Sequence, residues 1–316
     1  MDILVTGSLG YDYIMDFPGR FADRIMPDKI HSLSLSFLVD TLHKQFGGTA
    51  GNIAYTLQLL GEYPHIIAPA GNDFSPYLIF LKRHHMDISG ITVHRDIPTS
   101  SYFVITDQND NQIGSFFIGA LKYATRCHLL PWLKKKKNLF AIISPSDPKA
   151  MVQYVDECIV RKIPYLFDPA FQIATLSPTD LKKGITHASM AIGNDYEISL
   201  MEKQLEITHK QLRMLVPIVI TTLGPKGSII EEKNNRISIK PAKVSAVVDP
   251  TGAGDAYRGG FIAGYVRGCD LKTCGQMGSV AAVYTVEKYG TVTHTYTKKQ
   301  FIERYQKNYG TKISLK

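Results

Sequence analysis

The sequence predicts an α/β protein with a doubly wound, mostly parallel central sheet, helices on both of its faces, and a small β-sheet lid. Three observations carry this expectation. The chain opens on a short apolar run that closes on glycine, Asp2-Ile3-Leu4-Val5-Thr6-Gly7, the pattern of a strand buried on both faces. Beyond residue 138, strand-like and helix-like segments alternate, as they do where crossover helices join parallel strands. Two β-rich stretches, near 11–46 and 96–120, interrupt that rhythm and read as one appended sheet.

From Ala50 to Leu60 the apolar residues Ile53, Ala54, Leu57 and Leu60 share one helical face, and Gly61 stops the run. A strand at 65–70 and a helix at 76–85 follow. After Pro98, the runs 101–106 and 112–118 flank the turn-rich Asp107-Gln108-Asn109-Asp110-Asn111 and read as a hairpin. The regular part then reads strand 139–143, helix 148–161, strand 164–167, helix 178–185, strand 188–192, helices 195–202 and 208–214, and strand 217–222. Segments 228–232 and 236–240 surround Asn234-Asn235 and read as an antiparallel hairpin at the sheet edge. Helices at about 253–267, 271–288 and 297–308 complete the chain. Residues 1–316 therefore form one domain, with the lid assembled discontinuously from about 11–46 and 96–120.

Composition narrows the function classes. With 316 residues, 44% hydrophobic and 20% charged, the chain fits neither a disordered segment nor a fibrous rod. No apolar stretch approaches the ~18–20 residues that cross a bilayer. Asp2 stands where a secretory signal would carry basic residues, so a cytoplasmic protein without a membrane partner is expected. Cys127, Cys158, Cys269 and Cys274 form no C-x-x-C pair, and reduced, packing cysteines are expected. The net charge of +8 fits either a polyanionic partner or a small anionic substrate. The dense run Lys134 to Lys137 lacks the aromatic or arginine repeats of a nucleic-acid surface and reads as a solvated turn, so no nucleic acid is expected.

The most informative segment is Asp249-Pro250-Thr251-Gly252-Ala253-Gly254-Asp255-Ala256-Tyr257-Arg258-Gly259-Gly260-Phe261. It opens a helix, so the amides of Gly252, Ala253 and Gly254 point out of a positively polarised helix start and suit an anion. Neither a Walker A loop nor a G-x-G-x-x-G fingerprint fits. Asp255 in the first turn can take the proton from an attacking hydroxyl while those amides stabilise a transferred phosphoryl group. Taken alone, the segment equally describes an ordinary glycine-rich turn. A second glycine cluster, Gly47-Gly48-Thr49-Ala50-Gly51-Asn52-Ile53-Ala54, opens the helix at 50–60, with Asn52 able to donate to and accept from polyol hydroxyls.

Together the two clusters resemble the two signatures of the ribokinase-like, or PfkB, sugar kinases, and the likeness spans nearly the whole chain. The resemblance implies an ATP-dependent kinase with Asp255 as catalytic base and Gly252, Ala253 and Gly254 as its anion hole. It implies that Asp12, Gly47, Gly48 and Asn52 surround the acceptor's hydroxyls. Asn194 and Glu197 match the family's N-x-x-E motif, which organises Mg2+ and its waters. Thr222, Gly224 and Gly227 look like its nucleotide turn, although the same residues would suit a hairpin turn before Ser228. Asp249 and Thr251 resemble the start of a monovalent-cation loop, and Pro250, where the family has a small hydroxylic residue, leaves the need for K+ open.

Within the family, the second signature, the lid hairpin and the segment Glu287 to His294 look most like bacterial and archaeal adenosine or nucleoside kinases. The expected reaction is transfer of the γ-phosphoryl group of ATP to a primary hydroxyl of a nucleoside, adenosine to AMP in its narrowest form. A kinase of ribose, fructose or a related sugar is the alternative within the family. A non-catalytic nucleotide- or nucleic-acid-binding protein is the alternative outside it. Phe103, Phe116 and Phe117 suit core packing as well as stacking on a base. His84, His85 and His294 read as caps or surface groups, and Arg258 suits a phosphate, an Asp partner or the surface. A monomer and a homodimer are both compatible with the lid.

Overall fold

The computed structural model describes residues 1–26, 32, 34–109, 111–133 and 138–315. The basic run Lys134 to Lys137 lies outside the described residues, as do Asp110 in the hairpin turn and residues 27–31 and 33 of the first lid segment. In chain order the elements are β1 (Asp2–Thr6), β2 (Gly10–Asp16), β3 (Thr41–Gly47), α1 (Thr49–Leu59), β4 (Pro64–Ala70), α2 (Ser75–Arg83), β5 (Ile91–Val93), β6 (Ser100–Thr106) and β7 (Gln112–Phe117). There follow α3 (Leu130–Leu133), β8 (Leu139–Ile143), α4 (Pro148–Arg161), β9 (Tyr165–Phe167), α5 (Pro178–Thr186), β10 (Met190–Asn194), α6 (Asp195–Leu205), α7 (His209–Leu215) and β11 (Ile218–Thr222). The chain ends with β12 (Ser228–Glu232), β13 (Asn235–Ile239), α8 (Ala253–Val266), α9 (Leu271–Val286) and α10 (Lys298–Tyr309).

The large sheet runs β13-β12-β11-β10-β9-β8-β1-β4-β5. It is parallel from β11 to β5, and β12 and β13 add an antiparallel edge. Because side chains alternate across a strand, each apolar strand feeds two cores. Ile3, Val5, Phe140 and Ile142 join the core under α1, α2, α8, α9 and α10. Leu4, Leu139, Ala141 and Ile143 join the opposite core, under α4 to α7. That is why the strands read as unbroken apolar runs. The chain enters at β1 and adds strands on either side of it, so strand order reverses there, and the crevice above the strands' C-terminal ends is where ligands bind in such sheets.

Helix starts follow local chemistry. The Asp147 carboxylate accepts from the Lys149 and Ala150 amides and Pro148 occupies the first turn of α4, a cap that also tolerates the missing proline N–H. Reciprocal capping boxes open α6, α7 and α10 at Asn194/Glu197, Thr208/Gln211 and Thr297/Gln300. Most expected boundaries hold within a residue or two, but the helix expected at 195–202 runs three residues further, to Leu205, and the short strand β5 matches no expected element. The strand expected at 188–192 instead begins at Met190 and runs to Asn194, so the N-x-x-E segment straddles its C-terminal end and the first turn of α6.

The second sheet is β3-β2-β6-β7, with β2 antiparallel to β3, parallel to β6, and β6 antiparallel to β7. Its loops are tied by the Asp107 carboxylate, which accepts from the amides of Phe21, Asn109 and Asn111. His294 departs from the expectation of a surface or cap group. It is buried, its ring lies between Tyr55 and Tyr296, and burial pushes its pKa down to about 4. A lone histidine carries no periodic signal, so the sequence gives no hint that an aromatic pocket encloses it. Among the described residues no helix is long and apolar enough to cross a membrane, and the four cysteines are free, with Cys269 half-buried and the others buried.

Candidate active site

The start of α8 is shaped by glycine at its N-cap. Gly252 sits at φ 77°, and a Cβ there would lie 2.9 Å from the Thr291 side chain, so neither backbone nor space admits another residue without strain. The Ala253 N–H donates to Pro250 O at 3.2 Å, closing the turn. The Gly252 and Gly254 amides have no hydrogen-bond partner among the described residues, so these two, of the three expected amides, are free for an anion. Asp249 fixes this loop from below. One of its oxygens accepts from Thr251 N–H and the other from Gly290 N–H, both at 2.9 Å.

Asp255 stands in the first turn of α8, and Asn52 of α1 donates to its Oδ2 at 2.8 Å. Burial raises the Asp255 pKa, while Arg258 and Asn52 oppose that rise. The remaining side-chain oxygen of Asn52, Oδ1, is buried without a partner. Asp12, on β2 of the small sheet, is 8% exposed, and its carboxylate receives no hydrogen bond from any described residue. Burial, aided by repulsion from Asp255 and Asp249, pushes its pKa up to about 7. Gly47 makes room for it, because a Cβ there would fall 2.1 Å from Asp12 Oδ2. Gly48, at φ 89°, turns the chain from β3 into α1. A buried carboxylate and a buried amide oxygen, both without donors, thus face the helix that carries Asp255. A polyol would supply those donors.

Asn194 ends β10 and caps α6, and Glu197 stands in the first turn of that helix. The Asn194 Oδ1 accepts from Glu197 N–H and Glu197 Oε2 accepts from Asn194 N–H, both at 2.8 Å. This leaves Glu197 Oε1 and Asn194 Nδ2 uncommitted, a donor set that fits a hydrated cation held through water better than a closed cage. Among the described residues no group of three or more His, Cys, Asp or Glu could hold a metal ion.

Arg258, whose role the sequence left open, turns inward. It is buried and pairs with Asp168: Nη2 donates to Oδ1 at 2.7 Å, and Nε approaches Oδ2 to 2.5 Å as an ion pair without hydrogen-bond geometry. Its guanidinium also lies against Gly254, where a Cβ would meet Nη1 at 2.7 Å. Asp168 was missed in the sequence reading. The available signal was its place directly after the 164–167 strand, at the sheet edge where such folds place their chemistry.

Thr222, Gly224 and Gly227 form the turn between β11 and β12, so they are the hairpin turn, and they also line a cavity of about 480 Å³. The hairpin and nucleotide readings are therefore compatible. Val244, Val247, Val283 and Val286 supply its apolar wall, and Ala253 and Gly254 close its inner end.

The match that decides the family is a profile of the pfkB family carbohydrate kinases, which fits residues 12–298. The chain belongs to that family. This kinase is 30% identical to the nucleoside kinase of Methanothermobacter thermautotrophicus over 318 residues, covering 98% of this chain and 97% of the relative. The Burkholderia thailandensis nucleoside kinase in complex with inosine superimposes with a TM-score of 0.90 at 30% identity, covering 98% of this chain and 100% of that one. The ligand-free form of the same enzyme superimposes with a TM-score of 0.81 at 32% identity, covering 96% and 99%. This kinase thus resembles the inosine-bound shape more than the empty one.

Proposed function

We propose that this kinase transfers the γ-phosphoryl group of ATP to the 5′-hydroxyl of a nucleoside, with adenosine, giving AMP, as its narrowest candidate acceptor. The observation that carries the reading is the donor-free Asp12 carboxylate, buried in the small sheet and repelled by Asp255, together with the orphan oxygen of Asn52, the side chain that donates to Asp255. The 2′- and 3′-hydroxyls of a ribose donate to Asp12 and Asn52, which leaves the 5′-hydroxyl toward Asp255. Asp255 accepts that proton as the 5′-oxygen bonds to the γ-phosphorus and the bond to the β,γ-bridging oxygen breaks, releasing ADP. The Gly252 and Gly254 amides meet the charge on the transferred group, with Ala253 holding the turn that aims them.

Bound magnesium would supply positive charge to the phosphates, and Asn194 and Glu197 would hold its waters. Asp249 ties its own loop to Gly290, and Asp249 and Thr251 are the residues a monovalent cation would use. The adenine of ATP would lie in the cavity behind the turn Thr222, Gly224 and Gly227. In this reading the small sheet, from about 11–46 and 96–120, is a lid that excludes water from a reaction in which water competes as acceptor. The setting is the cytoplasm, where ATP is available, and monomer and homodimer serve the chemistry equally.

The test is ADP release with ATP and magnesium across adenosine, guanosine, inosine, cytidine, ribose, fructose and fructose 6-phosphate. Turnover of nucleosides with at least tenfold greater kcat/KM than any free sugar is the expected result. Turnover of a sugar alone overturns the nucleoside assignment and keeps the Asp255 chemistry. A variant adds a geometric check. The Cβ of Gly47→Ala displaces the Asp12 carboxylate, so the acceptor's KM rises by about tenfold or more while ATP binding, measured calorimetrically, changes by less than about threefold. An acceptor KM within twofold of the parent value would remove Asp12 from the acceptor site.

A further inference from the structure

Residues 240–250 join β13 to the start of α8 and belong to no helix or strand. They supply Val244 and Val247 to the wall of the cavity behind Thr222, Gly224 and Gly227. A coil without a ladder partner has to find acceptors for its amides elsewhere. Here they come from α9, α10 and the residue that follows α9. The Ala242 N–H donates to Ser279 Oγ at 2.8 Å, the Lys243 N–H to Asn308 Oδ1 at 2.6 Å, the Ser245 N–H to Glu287 Oε1 at 2.7 Å and the Val248 N–H to Val286 O at 2.8 Å.

These acceptors are themselves fixed. Arg304 of α10 grips both oxygens of Glu287, Nη1 to Oε2 at 2.8 Å and Nη2 to Oε1 at 2.6 Å, and its Nη2 also donates to Lys243 O at 3.0 Å. The guanidinium rests on the Tyr284 ring, 4.5 Å from its centroid. The Asn308 Nδ2 donates back to Arg304 O at 2.8 Å. The Arg304 and Glu287 side chains are only 16% and 18% exposed, so water and salt screen the pair less than a surface one. Between these bonds Val244 and Val247 stand 40% and 66% exposed, an apolar surface that gains by meeting a flat ring. Glu287, Arg304 and Asn308 lie outside the lining of that cavity.

We propose that Glu287, Arg304 and Asn308 are positioning residues for the nucleotide, which hold Val244 and Val247 against the adenine from the far side of the loop and so set the affinity for ATP. A loop already ordered costs ATP no entropy of ordering on binding, and a loop released from its acceptors does. The loss therefore falls on nucleotide binding and leaves the Asp255 chemistry as it is. This rests on the reading above that the cavity takes the adenine of ATP, and adds to it α10 as the element that fixes the cavity wall.

The experiment measures the KM for ATP and for the acceptor that the parent turns over fastest in the panel above, and the Kd of ADP alone by calorimetry. Glu287→Ala and Arg304→Met each raise the KM for ATP and the Kd of ADP by about tenfold, while kcat and the acceptor's KM stay within about twofold. The double variant loses no more than the worse single one, because the two side chains act through one pair. Asn308→Ala, which frees Lys243 alone, raises the KM for ATP by about threefold. Lys299→Ala, on the exposed side of α10, stays within about twofold of the parent. Thermal melting runs beside the kinetics, and Glu287→Gln, which keeps an oxygen for the Ser245 N–H, falls between parent and Glu287→Ala and serves if the harsher variants do not fold. Lower melting temperatures with the parent KM for ATP and Kd of ADP overturn the proposal and make the network structural only. Val247→Asn tests the reading beneath it, since loss of the apolar wall raises the KM for ATP by about fivefold. A raised KM in Val247→Asn beside parent values in Glu287→Ala and Arg304→Met overturns the positioning role and keeps the cavity. The parent KM in Val247→Asn overturns both.

Discussion

Asp255→Asn lowers turnover by about a thousandfold or more while the protein remains as stable as its parent or gains stability. The kinetic part follows from position. Asp255 is the carboxylate next to the free amides at the start of α8, and an amide in its place cannot take the proton of an attacking hydroxyl. Asparagine keeps the shape and can still accept from Asn52 Nδ2, which donates at 2.8 Å in the parent. The stability part follows from the raised pKa. Burial outweighs the help of Arg258 and Asn52, so the charged form is disfavoured in the folded state relative to the unfolded chain. With folded pKa above unfolded pKa, the ionised carboxylate destabilises the fold at neutral and higher pH, and a neutral amide removes that cost. Single-turnover kinetics and thermal melting at pH 8 read the two parts separately. Turnover within tenfold of the parent would show that another group serves as base. A large fall in melting temperature would show that the carboxylate is structural.

The sequence exposes the large sheet because its strands are buried on both faces and stand out as apolar runs between helical periods. The small sheet is legible only in half. Residues 100–106 and 112–117 flank a strong turn, but β3 reads Thr-Leu-His-Lys-Gln-Phe-Gly and is mostly exposed at a sheet edge, so it carries no alternation by which to find it. The site residues lie on segments where glycine must occur, which is why they are visible. Gly47 is there to clear Asp12 and Gly252 to turn the chain left-handed before α8. Asp168 meets the helix that carries Asp255 through Arg258, 90 positions away in sequence, and no local pattern encodes such a pair. The same holds for the direction in which Arg258 points.

That inward turn makes Arg258 the position with the largest expected effect on stability. Arg258→Met leaves Asp168, 1% exposed, without its counter-ion. Breaking a buried pair by removing one partner costs about 3–5 kcal/mol, because the remaining charge stays desolvated. Arg258→Lys keeps the charge but lacks the planar guanidinium that places one nitrogen on each Asp168 oxygen, and falls between parent and Arg258→Met. The deficit also has a pH signature. Burial already pushes the Asp168 pKa up to about 6 with Arg258 in place, and loss of the guanidinium raises it further. The variant's carboxylate can then be neutralised by a proton, so its deficit is largest at pH 8 and shrinks as pH falls toward 5. Adding Asp168→Asn to Arg258→Met removes the stranded charge and recovers part of the loss at pH 8. Urea unfolding of the four proteins of this cycle at pH 8 and pH 5 measures each step. A single variant within about 1 kcal/mol of the parent at pH 8 would mean that water reaches Asp168 and that the pair does not hold the catalytic helix against the strand end.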